Sequence, residues 1–222
     1  MKFIDEIIHK LISKNHFKYY PEDKYFIKQV LRFSENKNAK ILDVGCGNGH
    51  YSFLFEELGT DVTAFDYNKN LIGDANEKKK ELNSKVKFLI ADGRFPERNF
   101  TEKYDIVFMS GFSLFSINLD KEVMKKYLSL LDIGGKLIFV HNSNLTGLVR
   151  KTHWRNHTIE ELELFFESLD STIEKIYFYD RHIIVKIFHS LAFNSISTKA
   201  HILISKITKL PCCLVFIVKY GD

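Results

Sequence analysis

Residues 39–58 read AKILDVGCGNGHYSFLFEEL, and this stretch decides the fold. Ile41-Leu42-Asp43-Val44 is the short apolar run expected of a strand buried in a parallel sheet. Gly45, Gly47 and Gly49 then alternate through a turn, and Tyr51, Phe53, Leu54, Phe55 and Leu58 recur at helical spacing. Strand, glycine turn and helix make the first unit of a doubly wound α/β sheet, whose ligands bind beyond the carboxyl ends of the strands. The spacing is G-x-G-x-G, not the G-x-G-x-x-G of dinucleotide turns, and Asp43 stands two residues before the first glycine. A carboxylate there suits a ligand with a positive amino group better than one with phosphates. The spacing also counts against a nucleotide-dependent oxidoreductase.

Downstream, Asp61–Asp66 reads as a second strand, followed by Tyr67-Asn68 and a helix to about Leu82. An acidic residue about 20 positions past such glycines can grip a ribose diol, and Asp66 is that residue. It can also cap the helix that follows. Val86–Ala91 reads as the third strand and runs into Asp92-Gly93. Tyr104–Met109 reads as the fourth, followed by Ser110-Gly111-Phe112. A helix from about Asp120 to Leu131 leads to a Gly134-Gly135 turn and a fifth strand ending at Val140.

In order and spacing, D-V-G-C-G-N-G at 43–49, Asp66, A-D-G at 91–93, Y-D-I-V at 104–107 and L-D-I-G-G-K-L at 131–137 resemble the motifs of the class I S-adenosylmethionine-dependent methyltransferases. Ile133 stands where that family usually has proline, and Gly134-Gly135 can still turn the chain. The resemblance covers residues 39–140. It implies a Rossmann-like doubly wound α/β sheet of about seven strands, the last one antiparallel. It also implies S-adenosyl-L-methionine as methyl donor and S-adenosyl-L-homocysteine as product. The cofactor residues it implies are Asp43, Gly45, Cys46, Gly47, Gly49, Asp66, Tyr67, Asp92, Gly93 and Ser110, with Asp92 accepting from the adenine amino group. N-terminal helices in such enzymes often fold over the cofactor, which brings Tyr19 and Tyr20 to the expected acceptor pocket; Phe112, after the fourth strand, and Trp154, in the loop before the Thr158 helix, complete its expected lining, with a place in the core as the alternative for Phe112.

The flanks carry less. Residues 1–38 read as two helices, one with Phe3, Ile4, Ile7, Ile8, Leu11 and Ile12 on a face, the other opened by Pro21 and lined by Tyr25, Phe26, Val30 and Phe33. Beyond Val140, His141 ends the fifth strand, and the polar loop Lys151–His157 precedes a helix that Thr158 and Glu161 can cap. In related enzymes this segment builds the acceptor pocket, which makes His141 and His157, with His153 behind them, the candidates for a general base. Nine histidines occur in the chain, so most of them serve other ends. Glu174–Tyr179 and Leu214–Tyr220 read as the sixth and seventh strands. Residues 181–211 between them read as one or two basic amphipathic helices, expected as a cap that places Phe188, Leu191 and Phe193 near the acceptor. A membrane-surface element is the alternative.

With 222 residues, 45% hydrophobic and 27% charged, the chain has the composition of a single globular domain. That domain divides into an arm (1–38), a cofactor core (39–140) and acceptor-side elements (141–222). A net charge of +4 without a basic tail does not call for nucleic acid. Cys46, Cys212 and Cys213 show no C-x-x-C spacing, as expected of a reduced, cytoplasmic chain with no metal centre. No apolar run approaches the roughly 18 residues of a membrane span. No N-P-P-Y-type motif follows the fourth strand, so the expected acceptor is a small molecule carrying an oxygen, nitrogen or carbon nucleophile: a sugar, a polyketide-like compound or a lipid-linked intermediate. A non-catalytic adenosylmethionine-binding regulator would keep the glycines and Asp66 but lack the acceptor pocket. The oligomeric state is not legible.

Overall fold

The structure is a computed structural model that describes residues 21–143, 157–179, 195–208 and 212–221. In chain order these form α1 (Pro21–Leu31), β1 (Lys40–Val44), α2 (His50–Glu57), β2 (Asp61–Asp66), α3 (Lys69–Leu82), β3 (Lys87–Ile90), β4 (Tyr104–Ser110), α4 (Ser113–Ile117), α5 (Lys121–Leu128), β5 (Leu131–Ser143), α6 (Ile159–Glu167), β6 (Ser171–Phe178), α7 (Ser195–Thr208) and β7 (Cys212–Tyr220). The strands make one sheet in the order β3-β2-β1-β4-β5-β7-β6. β1 to β5 pair in parallel, and β7 runs antiparallel to both of its neighbours, as expected for the last strand.

The sheet is covered on both sides because its inner strands are apolar on both sides. Along β1, Ile41 joins a cluster with Phe26, Phe53 and Phe55, while Leu42 joins the opposite one with Phe115, Tyr127 and Phe166. Thus α1 and α2 cover one face, and α5 and α6 cover the other. β1 has β2 on one side and β4 on the other, so the winding reverses between β1 and β4. That reversal opens a crevice at the carboxyl ends of these strands.

Local chemistry fixes the element ends. Asn68 caps α3 by accepting from the Asn70 and Leu71 N–H groups, and Asn83 closes it in the left-handed region at φ 50°. Thr158 and Glu161 form the expected capping box on α6. β5 is longer than the sequence suggests, because it includes the Gly134-Gly135 turn region, with a register irregularity opposite Tyr104 to Ile106. β6 begins at Ser171, not Glu174; an irregularity between Ile173 and Lys175 breaks the alternation that would have marked its start. β3 is shorter than expected, and β7 starts two residues earlier.

The expected first helix, Tyr19, Tyr20, Trp154, His153, Phe188, Leu191 and Phe193 lie outside the described residues. Of the 181–211 segment, α7 is described. It packs on β6, where Thr198 Oγ1 accepts from the Phe178 N–H at 3.0 Å and His201 stacks on Phe178. Among the described residues, no helix is long and apolar enough to cross a membrane.

Candidate active site

The glycine turn leaves β1 with Gly45, Gly47 and Gly49 all at positive φ. Two of them need glycine for different reasons. At Gly49 a Cβ would lie 2.6 Å from the Phe88 ring, so packing demands glycine there. At Gly47, φ is +57° and a Cβ would meet nothing within 4 Å, so the backbone is bare toward open space. That is the property a turn needs if a ligand is to lie against it.

Asp66, at the end of β2, is buried and braces the turn. Its Oδ2 accepts from the Gly47 N–H at 3.0 Å and its Oδ1 from the Asn68 N–H at 2.8 Å. It also lines a cleft together with Gly45, Tyr67, Ala91, Gly93, Gly111, Phe112 and Ser113. Tyr67 stands at the rim, largely exposed. Phe112 packs close against two glycines: a Cβ on Gly45 would meet its ring at 2.8 Å and one on Gly93 at 2.4 Å. Its edge contacts to Phe115 and Tyr127 hold it there. In the described residues, therefore, Phe112 is a wall of the glycine cleft. Ser110 is half-buried at the end of β4, one residue short of the stretch that lines that cleft.

Asp43 is 2% exposed and its Oδ2 accepts from Ser52 Oγ at 2.6 Å. Burial pushes its carboxyl up to about 7, against the lowering effects of the Ser52 bond and nearby His50 and with a smaller push from Asp66. A buried carboxylate so poorly compensated is suited to a cationic neighbour. Ser52 was not anticipated from sequence; its signal is a small polar residue among the apolar positions of α2. Cys46 donates its N–H to Phe65 O, and burial pushes its thiol up, which disfavours the thiolate.

Asp92 stands apart from this group. It is exposed, and Arg94 engages it through its backbone N–H, Nε and Nη2, the last at 2.6 Å. Those hydrogen bonds lower its carboxyl to about 2. Next to it, Gly93 is buried against Phe112, and its carbonyl accepts from Tyr127 Oη at 2.7 Å.

The two histidines nominated as bases do come together, on the α6 side of the sheet. His157 Nδ1 lies 3.3 Å from His141 Nε2, both residues are buried, and the His141 ring stacks on Phe139. Burial, and then the neighbouring His157, hold His141 well below the usual histidine range. Neither histidine is among the residues lining the Asp66 cleft.

Asp43 and His141 therefore respond to pH with opposite signs. Asp43 titrates higher when folded than unfolded, so its contribution is full at low pH and is lost as pH rises from about 4 to about 7. His141 titrates lower when folded, so its contribution is present above about 6.5 and is lost as pH falls below that. Urea unfolding at pH 5.5 and 7.5 separates them. Relative to wild type, Asp43→Asn should gain stability on going to pH 7.5 and His141→Gln should lose it, each on the order of 1–2 kcal/mol. Shifts of the same sign in both variants would refute the assignments.

Fold and turn define a Rossmann-like α/β domain with its ligand cleft at the β1–β4 reversal. Residues 35–188 match the family described as "Methyltransferase domain", well over half of the chain. The chain belongs to this family, the class I S-adenosylmethionine-dependent methyltransferases. Over 104 residues it is 31% identical to the "Probable S-adenosyl-L-methionine-dependent methyltransferase TehB" of Haemophilus influenzae, covering 46% of this chain and 35% of that protein. Over 82 residues it is 33% identical to the "Ubiquinone biosynthesis O-methyltransferase" of Hydrogenovibrio crunogenus, covering 37% of this chain and 33% of that protein. The matches thus span about a third of the length of these relatives. Among solved structures, an S-adenosylmethionine-dependent methyltransferase from Geobacter sulfurreducens, in complex with S-adenosyl-L-homocysteine, superposes with a TM-score of 0.62 at 15% identity, over 92% of this chain and 93% of that one. One from Clostridium acetobutylicum gives 0.64 at 15% identity, over 100% and 99%. At such identity these two likenesses speak for the fold alone.

Proposed function

We propose that the chain transfers a methyl group from S-adenosylmethionine to an oxygen, nitrogen or carbon nucleophile of a small molecule. The observation that carries the reading is the pairing of a bare glycine turn, braced by Asp66, with a carboxyl at Asp43 whose burial disfavours its charge. This fits an adenosyl ligand with an amino-acid tail. Asp66 would take the ribose hydroxyls, Phe112, Tyr67 and Gly93 would bound the adenine, and the 45–49 backbone and Asp43 would receive the amino-acid end. The donor supplies a methyl group already activated on a sulfonium, so positioning and exclusion of water are the main work of the protein. Ser110-Gly111-Phe112 after β4 supports a small acceptor, because it lacks the polar motif suited to amide or base nitrogens. Relatives named "Ubiquinone biosynthesis O-methyltransferase" and "Glycine/sarcosine N-methyltransferase" are in line with this.

The test incubates the protein with methyl-labelled S-adenosylmethionine and a total cell extract, then separates low-mass metabolites from protein and nucleic acid. Label should enter the low-mass fraction. Label confined to protein or nucleic acid would overturn the choice of acceptor class.

A further inference from the structure

Helix α7 carries apolar residues on two opposite sides. One side packs: Thr198 is buried, His201 stacks on Phe178, and Ile202 lies against the core cluster that includes Phe166 and Phe178. Half a turn round, Ala200, Leu203 and Ile207 recur at the i, i+3, i+7 spacing of a single helix face. That face is turned to solvent: Leu203 is 60% exposed and Ile207 is 72% exposed. Ile196 and Ile204 are exposed on the same side and widen the stripe. A contiguous apolar stripe on a surface helix marks an interaction site, because leaving it in water forgoes the free energy of burying each side chain.

The charge around the stripe selects the partner. Lys199 is exposed beside it, between the packed side and the apolar one. From 181 to 221 the sequence has Arg181, Lys186, Lys199, Lys206, Lys209 and Lys219 and no acidic residue. Six positive charges exceed the chain's net charge of +4, so the basic character of the protein is concentrated in this segment. A second copy of α7 would set like charges against one another across a two-fold contact, which is unfavourable. A nucleic acid would meet the lysines and leave Leu203 and Ile207 in water. A bilayer containing anionic lipid satisfies both: the stripe sinks to the boundary of headgroups and acyl chains, and the lysines stay among the headgroups.

The register of the sheet sets where this helix stands. Ser110 of β4 pairs with Val140, Val140 with Val215, and the neighbouring Leu214 with Phe178. Phe178, on which α7 packs, is thus level with the carboxyl end of β4, where the cleft opens. Three strand spacings, roughly 15 Å, separate β4 from β6. We propose that α7 is a docking face for an anionic membrane surface, seated by Leu203 and Ile207 and held by the basic charge of its segment. Docking there brings lipid to the end of the sheet at which the glycine turn lies. The contact goes beyond the methyl-transfer reading and does not depend on it.

Flotation of the full chain with lipid vesicles tests the proposal, with no cofactor or acceptor present. Vesicles of phosphatidylcholine with one-third phosphatidylglycerol should bind the protein at low salt, and pure phosphatidylcholine at least tenfold less. Raising salt from about 0.05 M to about 0.5 M should weaken the anionic binding at least tenfold, because the attraction is then screened within a few ångströms. The Leu203→Gln/Ile207→Gln double variant should bind at least tenfold less and unfold in urea like wild type, since both side chains are exposed. Lys199→Glu should bind several-fold less. Lys87→Glu, which reverses an exposed charge on β3 at the opposite edge of the sheet, should bind within twofold of wild type. Absence of binding to anionic vesicles would overturn the proposal. So would equal losses in Lys199→Glu and Lys87→Glu, which would reduce the contact to net charge, or unaltered binding in the double variant, which would place it elsewhere. A dimer that the double variant dissociates, without vesicle binding by wild type, would give the face to a second copy and overturn it as well. Should the double variant fail to fold, the comparison of Lys199→Glu with Lys87→Glu decides by itself. Absence of S-adenosylhomocysteine binding by wild type would refute the cofactor reading and leave this contact standing.

Discussion

Asp66→Ala should weaken binding of S-adenosylhomocysteine by about 2–4 kcal/mol, the scale of charge-assisted hydrogen bonds lost from a ligand. That is a rise in dissociation constant of roughly 30- to 1000-fold. The carboxylate already accepts from Gly47 and Asn68, one bond to each oxygen. A carboxylate offers about four lone-pair sites, so two hydroxyls can be added without displacing the turn. The substitution thus removes the ribose contact and the brace together. Asp66→Asn separates them in part: it keeps one acceptor but turns an amide N–H₂ toward a backbone N–H, and its loss should fall between wild type and alanine. The fold should survive in both, since Asp66 ends its strand and its backbone pairing with β3 does not involve the side chain. Isothermal titration reads the effect; an unchanged affinity in Asp66→Ala would mean that another residue carries the ribose.

Gly47→Val should abolish measurable S-adenosylhomocysteine binding at modest cost to the fold, while Gly49→Val should cost the fold itself. Both positions hold left-handed φ, which a β-branched residue adopts at about 1–2 kcal/mol or more. At Gly47 that is the whole penalty, because the side chain projects into open space where the ligand is expected. At Gly49 the Cβ would also drive into Phe88 at 2.6 Å and crowd Phe53, adding the 1–3 kcal/mol typical of an overpacked core. Urea unfolding should therefore rank Gly49→Val well below Gly47→Val, which in turn lies below wild type. Equal stability losses with binding retained in Gly47→Val would remove the ligand from that side of the turn.

The contrast between the two glycines also shows what the sequence can and cannot convey. G-x-G-x-G with Asp43 and Asp66 was legible because strand, turn and helix are local. The order of motifs over 39–140 placed four strands correctly to within a residue or two. The sequence could not say which glycine serves packing and which faces open space, since Phe88 reaches Gly49 from another strand. Period two along β5 was legible, and it puts His141 on the same face as Phe139, but the depth of that face depends on α6. The arrest of Asp92 by Arg94 is a two-residue contact whose outward direction depends on the loop after β3. The least legible feature is the buried cluster that Asp23 forms with His50 and Tyr179. Its members are separated by 27 and 156 positions, and each alone reads as an ordinary surface or core residue.

The most direct test of the account is a crystal structure of the complex with S-adenosylhomocysteine. The account predicts both ribose hydroxyls within hydrogen-bond distance of the Asp66 carboxylate, the adenine against Phe112 and Gly93, and the amino-acid end over Gly45–Gly49 toward Asp43. A ligand seated away from the β1–β4 reversal, or a ribose held by a residue other than Asp66, would contradict it.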